Sequence, residues 1–244
     1  MSKLWITLLI IFTLFSIPTF AQDQNDAESL CFDNGGFINA DTGQCEVQIT
    51  LNIKNNYPIE FMDMPFVMDQ LDSVYDTELK NFIDSFSQDA GTYPTHGGWE
   101  LDMDYTKAEY SDTVFSVIIT EYMYTGGAHG QTINQTYTFD TDTETVLTLD
   151  DIFTDVDAGL AVVAPLAVDQ LNEVVGDYTD SDWMARGTDP AVPDNYNAWY
   201  LTADGIHFYF GQYQVAAYAA GIQDIVIPWA DLTDVLEPAF VPAS

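Results

Sequence analysis

A chain of 244 residues has room for one large domain or two small ones, and 47% hydrophobic with 14% aromatic content excludes disorder as its default state. Its 39 acidic side chains stand against five Lys and Arg, a formal charge of −34 that repels nucleic acid and anionic membrane surfaces. The acids are scattered through every segment, the pattern of adaptation to a saline exterior; a cation-rich surface or a basic partner would fit the same charge.

Lys3, the apolar run Leu4 to Phe20 and the small residues around Ala21 have the form of a secretory signal. Residues 1–21 are therefore expected to be removed, with Gln22 first in the mature protein. No later stretch reads as the ~20 apolar residues of a membrane span. Residues 22–46 form an acidic leader containing Cys31 and Cys45. An even pair this close, in an oxidising compartment, predicts a disulfide. Asn34-Gly35-Gly36 and Asp41-Thr42-Gly43 supply the turns that bring the sulfurs together.

Residues 47–145 read as a first half. Val47 to Ile53 alternates as a strand, and a helix follows with Val67, Leu71, Val74, Tyr75, Phe82 and Phe86 among its apolar stripe, closed off by Gly91 and Pro94. From Trp99 the period becomes two, through Tyr105, again over Tyr110 to Tyr124 with Ser111-Asp112 at the turn, and again over Gln131 to Phe139. Thr141 to Glu144 turns that last strand into Val146-Leu147. Residues 146–244 repeat the order. A short helix at Leu149 to Phe153 precedes a longer one at Asp157 to Val175, which Pro165 is expected to bend or to start late. Gly187, Pro190 and Pro193 mark Thr179 to Asn195 as a surface loop. Trp199 to Leu201 and Ile206 to Phe210 pair across Ala203-Asp204-Gly205. A strand at Ile222 to Ile227 and a short helix at Trp229 to Leu236 complete the chain. The whole predicts an α+β fold of two abutting helix-plus-antiparallel-sheet halves, with a disulfide-stapled N-terminal loop.

Four landmarks stand in order: Tyr124-Thr125-Gly126-Gly127-Ala128-His129-Gly130; Phe139-Asp140 with Leu147 to Phe153; Tyr200 to Ile206; and Tyr213 with Val215 to Gly221. This succession resembles the extracytoplasmic domain, mostly of unknown function, shared by the lysozyme-sensing anti-sigma factor RsiV and the peptidoglycan deacetylase PdaC. The resemblance runs from about Val47 to Leu236. It implies an α+β fold displayed outside the membrane and a recognition role, lysozyme binding belonging to one branch of the family.

The glycine-rich segment is the strongest local signal. Three glycines within five residues let the backbone approach a partner closely, so Tyr124, Thr125, Gly126, Gly127 and His129 are ligand-binding candidates, with His129 serving either a ligand or backbone carbonyls. Tyr213 and Tyr218 join them; with Trp199 and Tyr209 they form either an aromatic platform or core packing. His129 could act as a general base, but no catalytic residue is assigned. The histidines lack zinc-site spacing, and His96 and His207 read as a solvated loop residue and a half-buried strand residue. Asp140, Asp142, Glu144 and Asp151 imitate a calcium loop without its glycine, so neither metal nor cofactor is expected. The expected role is a secreted or periplasmic, non-catalytic binding module for a basic envelope protein such as lysozyme or for a cell-wall glycan. A wall-directed hydrolase using His129 and a structural accessory of a surface complex are the competing readings.

Overall fold

The computed structural model describes residues 4–7, 29, 31–32, 36–46, 50–89 and 98–242. Most of the expected signal, residues 47–49 of the first strand, and His96 lie outside the described residues. In chain order the strands are β1 (Leu4–Thr7), β2 (Phe37–Ile38), β3 (Cys45–Glu46), β4 (Thr50–Asn55), β5 (Trp99–Glu109), β6 (Val114–Tyr124), β7 (Gln131–Asp140), β8 (Thr145–Leu147), β9 (Trp199–Leu201), β10 (Gly205–Phe210) and β11 (Gln223–Pro228). The helices are α1 (Pro65–Asp89), α2 (Leu149–Ile152), α3 (Val156–Val175) and α4 (Ser181–Gly187). Strands β1-β4-β5-β6-β7-β8 form one sheet, β11-β10-β9 a second and β2-β3 a third. The fold is mixed α+β.

Two compact units emerge, each assembled from separated segments. The first holds the described residues up to Asn56, with Asp72–Met103 and Tyr122–Gln131; the second holds Tyr57–Leu71, Asp104–Glu121 and Thr132–Ser244.

In the first unit, β1 runs antiparallel to β4, Leu4 opposite Ile53. The β4–β5 pair is parallel, Leu51 opposite Trp99, which departs from the antiparallel order expected of successive strands. A parallel pair needs a long crossover, and the segment containing α1 provides it. Phe82 and Phe86, one helical turn apart, both pack on the Trp99 ring at 5.8 and 5.6 Å. The predicted Cys31–Cys45 disulfide is present. Hairpin β2–β3 lies inside its loop, and Asn39 Oδ1 accepts the N–H groups of Asp41 and Thr42 at the turn. Gly36 lies so close that a Cβ there would stand 2.8 Å from either sulfur.

The second unit holds the larger core. Asp155 caps α3 by accepting the Ala158 N–H at 2.9 Å. The helix starts at Val156 and runs through Pro165, so Pro165 does not delay it. By composition α3 is apolar enough to cross a membrane, yet Leu160, Val163, Ala167 and Leu171 are fully buried in a core shared with Ile206, Phe208 and Ile227. Strand β6 is buried continuously from Val114 to Ile119 rather than on alternate residues. Phe115 stacks on Phe61 and leans on Phe139. Ser116, equally buried, bonds Thr138 Oγ1 and accepts the Leu201 N–H, while Thr136 Oγ1 accepts the Trp199 N–H. Hydroxyls on one sheet thus satisfy the edge donors of another, which would otherwise be buried unpaired at a cost of about 1–3 kcal/mol each.

Two expectations fail here. Thr179 to Asn195 is not a plain loop: it contains α4 and a 3-10 turn at Pro193–Tyr196, because Asp180 accepts the Trp183 N–H as an N-cap and Met184, Thr188 and Tyr196 are buried. The expected terminal helix is a single 3-10 turn, Trp229–Asp231, in which the Leu232 N–H closes on the Trp229 carbonyl.

Candidate functional site

The glycine–histidine segment connects β6 to β7. Gly126 and Gly127 take φ of 107° and 97°, where a side chain is strained, and a Cβ at Gly127 would meet nothing within 4 Å. Gly127 therefore serves the turn and not a close contact. Gly130 does the reverse: a Cβ there would stand 2.5 Å from the Tyr122 ring. The loop is tied by its own residues, the Tyr124 hydroxyl donating to the Gly127 carbonyl at 3.1 Å. His129 Nδ1 lies 3.0 Å from the Gly130 carbonyl, a contact that is a hydrogen bond when Nδ1 carries the hydrogen, and Thr125, Ala128 and His129 are exposed.

The tyrosine segment, residues 211–222, connects β10 to β11 and is organised differently. Gly211 to Gln214 is a turn closed by the Gln214 N–H on the Gly211 carbonyl at 3.0 Å. Tyr213 within it takes φ of 67°, one of only two non-glycine residues in the left-handed region among those described. Its ring is 53% exposed and tilts against Tyr218, centroids 5.7 Å apart.

Side chains reach in to hold that geometry. Gln214 Oε1 accepts the Gly211 N–H, and Gln214 Nε2 donates to the carbonyls of Gly187 and Asn195 at 3.1 and 2.9 Å. Trp183 Nε1 donates to the Tyr213 carbonyl at 3.0 Å, and Thr179 Oγ1 to that of Val215. The Ala217 N–H bonds the Tyr178 carbonyl. At Gly187 a Cβ would come within 2.2 Å of the Gln214 carbonyl oxygen, so only glycine lets α4 meet the turn. Below, the buried Tyr196 hydroxyl donates to the Thr188 carbonyl at 2.6 Å. Burial, reinforced by Asp189, pushes that phenol well above its usual range. On the outside Tyr178 is as exposed as Tyr213.

Tyr213 and Tyr218 are thus brought together, whereas Trp199 is buried and packs in the core. Trp183, Tyr178 and Gln214 complete the site and were not anticipated; Asp180 as an N-cap is the signal for the helix that carries Trp183. Of the calcium-like acids, Asp140 accepts the Asp142 N–H, and Asp151 accepts both the N–H and the hydroxyl of Thr148. Among the described residues no three His, Cys, Asp or Glu side chains group as metal ligands would.

Residues 44–132 match the family described as Deacetylase PdaC, and residues 150–230 match Protein of unknown function (DUF3298). The chain carries a DUF3298-type domain shared with PdaC. The glycine–histidine loop falls in the first match, the tyrosine loop in the DUF3298 match. The peptidoglycan-N-acetylmuramic acid deacetylase PdaC of Bacillus subtilis is 29% identical over 195 residues, 79% of this chain. The chain spans 40% of that relative's length. The immunogenic protein MPT64 of Mycobacterium tuberculosis is 24% identical over 205 residues, covering 80% of this chain and 84% of MPT64. A DUF3298 family crystal structure from Pseudomonas aeruginosa superimposes with a TM-score of 0.56 at 16% identity, over 100% of this chain and 96% of that one, and so shares the DUF3298 fold.

Proposed function

We propose that the chain is an extracytoplasmic binding module that reads a cell-wall glycan through its tyrosine loop. The observation that carries this is Tyr213: an aromatic side chain held at φ of 67° with its ring half in water. Left-handed backbone at a non-glycine residue costs about 1–2 kcal/mol and persists where surrounding bonds over-determine it, as the Gln214 and Trp183 bonds do. An exposed aromatic pair offers the flat apolar faces on which sugar rings stack. The disulfide and the similarity to a relative named for its action on peptidoglycan support a place outside the cytoplasm, and residues 1–21, β1 among them, would be the export signal that leaves Gln22 first.

Co-sedimentation of the mature chain with purified peptidoglycan sacculi tests the reading. Tyr213→Ala should weaken binding by about tenfold or more, as truncating an aromatic anchor does. Equal pelleting of variant and wild type, or none by either, rejects it. The charge of −34 favours a second reading, a basic envelope protein such as lysozyme. Salt separates the two: charge-driven affinity falls steeply with ionic strength, whereas stacking on tyrosine does not.

A further inference from the structure

The outward face of the β9-β10-β11 sheet carries a hydroxyl, an imidazole and a carboxylate in line, all within the second unit. Strand alternation buries Ile206, Phe208 and Phe210 and turns His207 and Tyr209 to the opposite face, with Tyr200 directly across from His207. His207 Nδ1 lies 3.1 Å from Asp224 Oδ1, and His207 Nε2 lies 3.2 Å from Thr202 Oγ1. The second Asp224 oxygen accepts the Tyr200 hydroxyl at 2.7 Å. Burial, and then the bond to Asp224, raises the Tyr200 phenol far above its ordinary range, so it remains a donor. An ionised carboxylate only accepts. Nδ1 of neutral His207 must therefore carry the hydrogen, leaving the Nε2 lone pair facing the Thr202 hydroxyl.

The parts are held in place. The Tyr200 ring stacks on the imidazole, centroids 4.3 Å apart and planes 20° from parallel. Thr202 Oγ1 accepts the Asp204 N–H at 3.2 Å, and Trp229 Nε1 donates to the Thr202 carbonyl at 2.9 Å. Thr202 is half-buried beside the exposed Ala203 and Asp204 of the hairpin tip. A nucleophile bonded to a base, and that base bonded to an orienting carboxylate, is the arrangement that activates a hydroxyl.

The geometry points to an acyl-transfer centre for small, uncharged carboxylic esters, with Thr202 as nucleophile, His207 as general base, and Asp224 and Tyr200 as positioning residues. Thr202 Oγ attacks the ester carbonyl carbon while its proton passes to His207 Nε2. The tetrahedral adduct collapses with cleavage of the C–O bond, and the departing alcohol takes the proton from Nε2. Water then attacks the acyl-threonine, again giving a proton to Nε2, and the acid leaves as Thr202 recovers its hydrogen. Asp204 and Asp224 flank the site, so anionic esters are repelled.

The probe is p-nitrophenyl acetate, incubated with the full chain in the absence of wall material and scored by peptide mass mapping, so that failure here leaves the tyrosine-loop reading untouched. Acetyl-Thr202 is expected, forming faster as pH rises. His207→Gln should slow it about 100-fold and flatten the pH profile. Asp224→Asn, which frees the tautomer, should slow it less and alter the pH profile. Thr202→Val should abolish the adduct at that position, and Thr202→Ser should retain it. Where His207→Gln does not fold, the Val and Ser pair decides. No acetyl on wild-type Thr202, or an equal rate in His207→Gln, overturns the assignment.

Discussion

In the Tyr124–Gly130 loop the left-handed backbone falls on Gly126 and Gly127, where it carries no steric cost; in the 211–222 loop it falls on Tyr213 as well as on Gly221. The first loop carries a bond within itself, Tyr124 to Gly127; the second is held by Gln214, Trp183 and Thr179, with partners in α4 and the segments beside it. A turn built on glycine holds its shape locally and survives loss of its surroundings. A turn that forces a tyrosine into the same region exists only while its platform stands, and it returns an exposed aromatic ring. The difference places the energetic weight of the second loop in Gln214, Trp183 and Thr179 rather than in the exposed ring.

Breaking the platform should therefore have the largest effect. Gly187→Ala drives a methyl group into the Gln214 carbonyl and is expected to cost about 3 kcal/mol in urea unfolding, with wall binding lost alongside. A change below about 0.5 kcal/mol would show that the platform yields and the turn does not depend on it. Alkaline pH attacks the same platform through Tyr196, and the β9-β10-β11 face through Tyr200. Tyr196 and Tyr200 are held above their ordinary value of 10.0, first by burial and then by Asp189 and Asp224 respectively. A raised phenol contributes stability that is complete below the unfolded value near 10 and is lost as pH climbs beyond it. Each should lose up to about 1.4 kcal/mol per pH unit there. Urea midpoints at pH 9, 10 and 11 check this, and Tyr196→Phe should remove its share of the slope. For the glycine loop, Gly127→Ala meets no atom and should cost about 1 kcal/mol from its positive φ alone, with wall binding unchanged. Loss of binding there would move recognition from the tyrosine loop to the glycine loop.

Much of the first loop's character was open to sequence reasoning, because it is local: consecutive glycines between two period-two runs announce a turn, and Asp204-Gly205 announces the β9–β10 hairpin in the same way. The α1 stripe and the Cys31–Cys45 pair were legible for the same reason. What escaped depends on contacts distant along the chain. Helix α4 has seven residues, and of its side chains only Met184 is buried; its register is set by Gly187 against Gln214, which no periodicity records. Direction is also silent: alternation in β4 and β5 is the same whether they run parallel or antiparallel, and the crossover decides. Ser116 and Thr138 are of a polar type usually found at the surface, yet Ser116 must lie inside to accept the Leu201 N–H of β9, and Thr138 bonds it there. His207 read correctly as half-buried, but its alignment with Thr202 and Asp224 needs three strands in register.

The smallest effect is the most discriminating, because binding should be equal in two variants whose stabilities differ. Tyr213→Gly and Tyr213→Ala both remove the exposed ring and its contact with Tyr218, so both should lose wall binding equally. They differ only in backbone. At φ of 67° alanine keeps the left-handed penalty that glycine escapes, while glycine gives up more conformational entropy on folding. The steric penalty outweighs that entropy loss, so the glycine variant should be more stable by about 0.5–1 kcal/mol in urea unfolding. A glycine variant equal to or weaker than the alanine variant would mean that the turn relaxes out of the left-handed region once the ring is gone. The ring's own packing on Tyr218, and not the Gln214 and Trp183 bonds, would then be what holds the strained backbone.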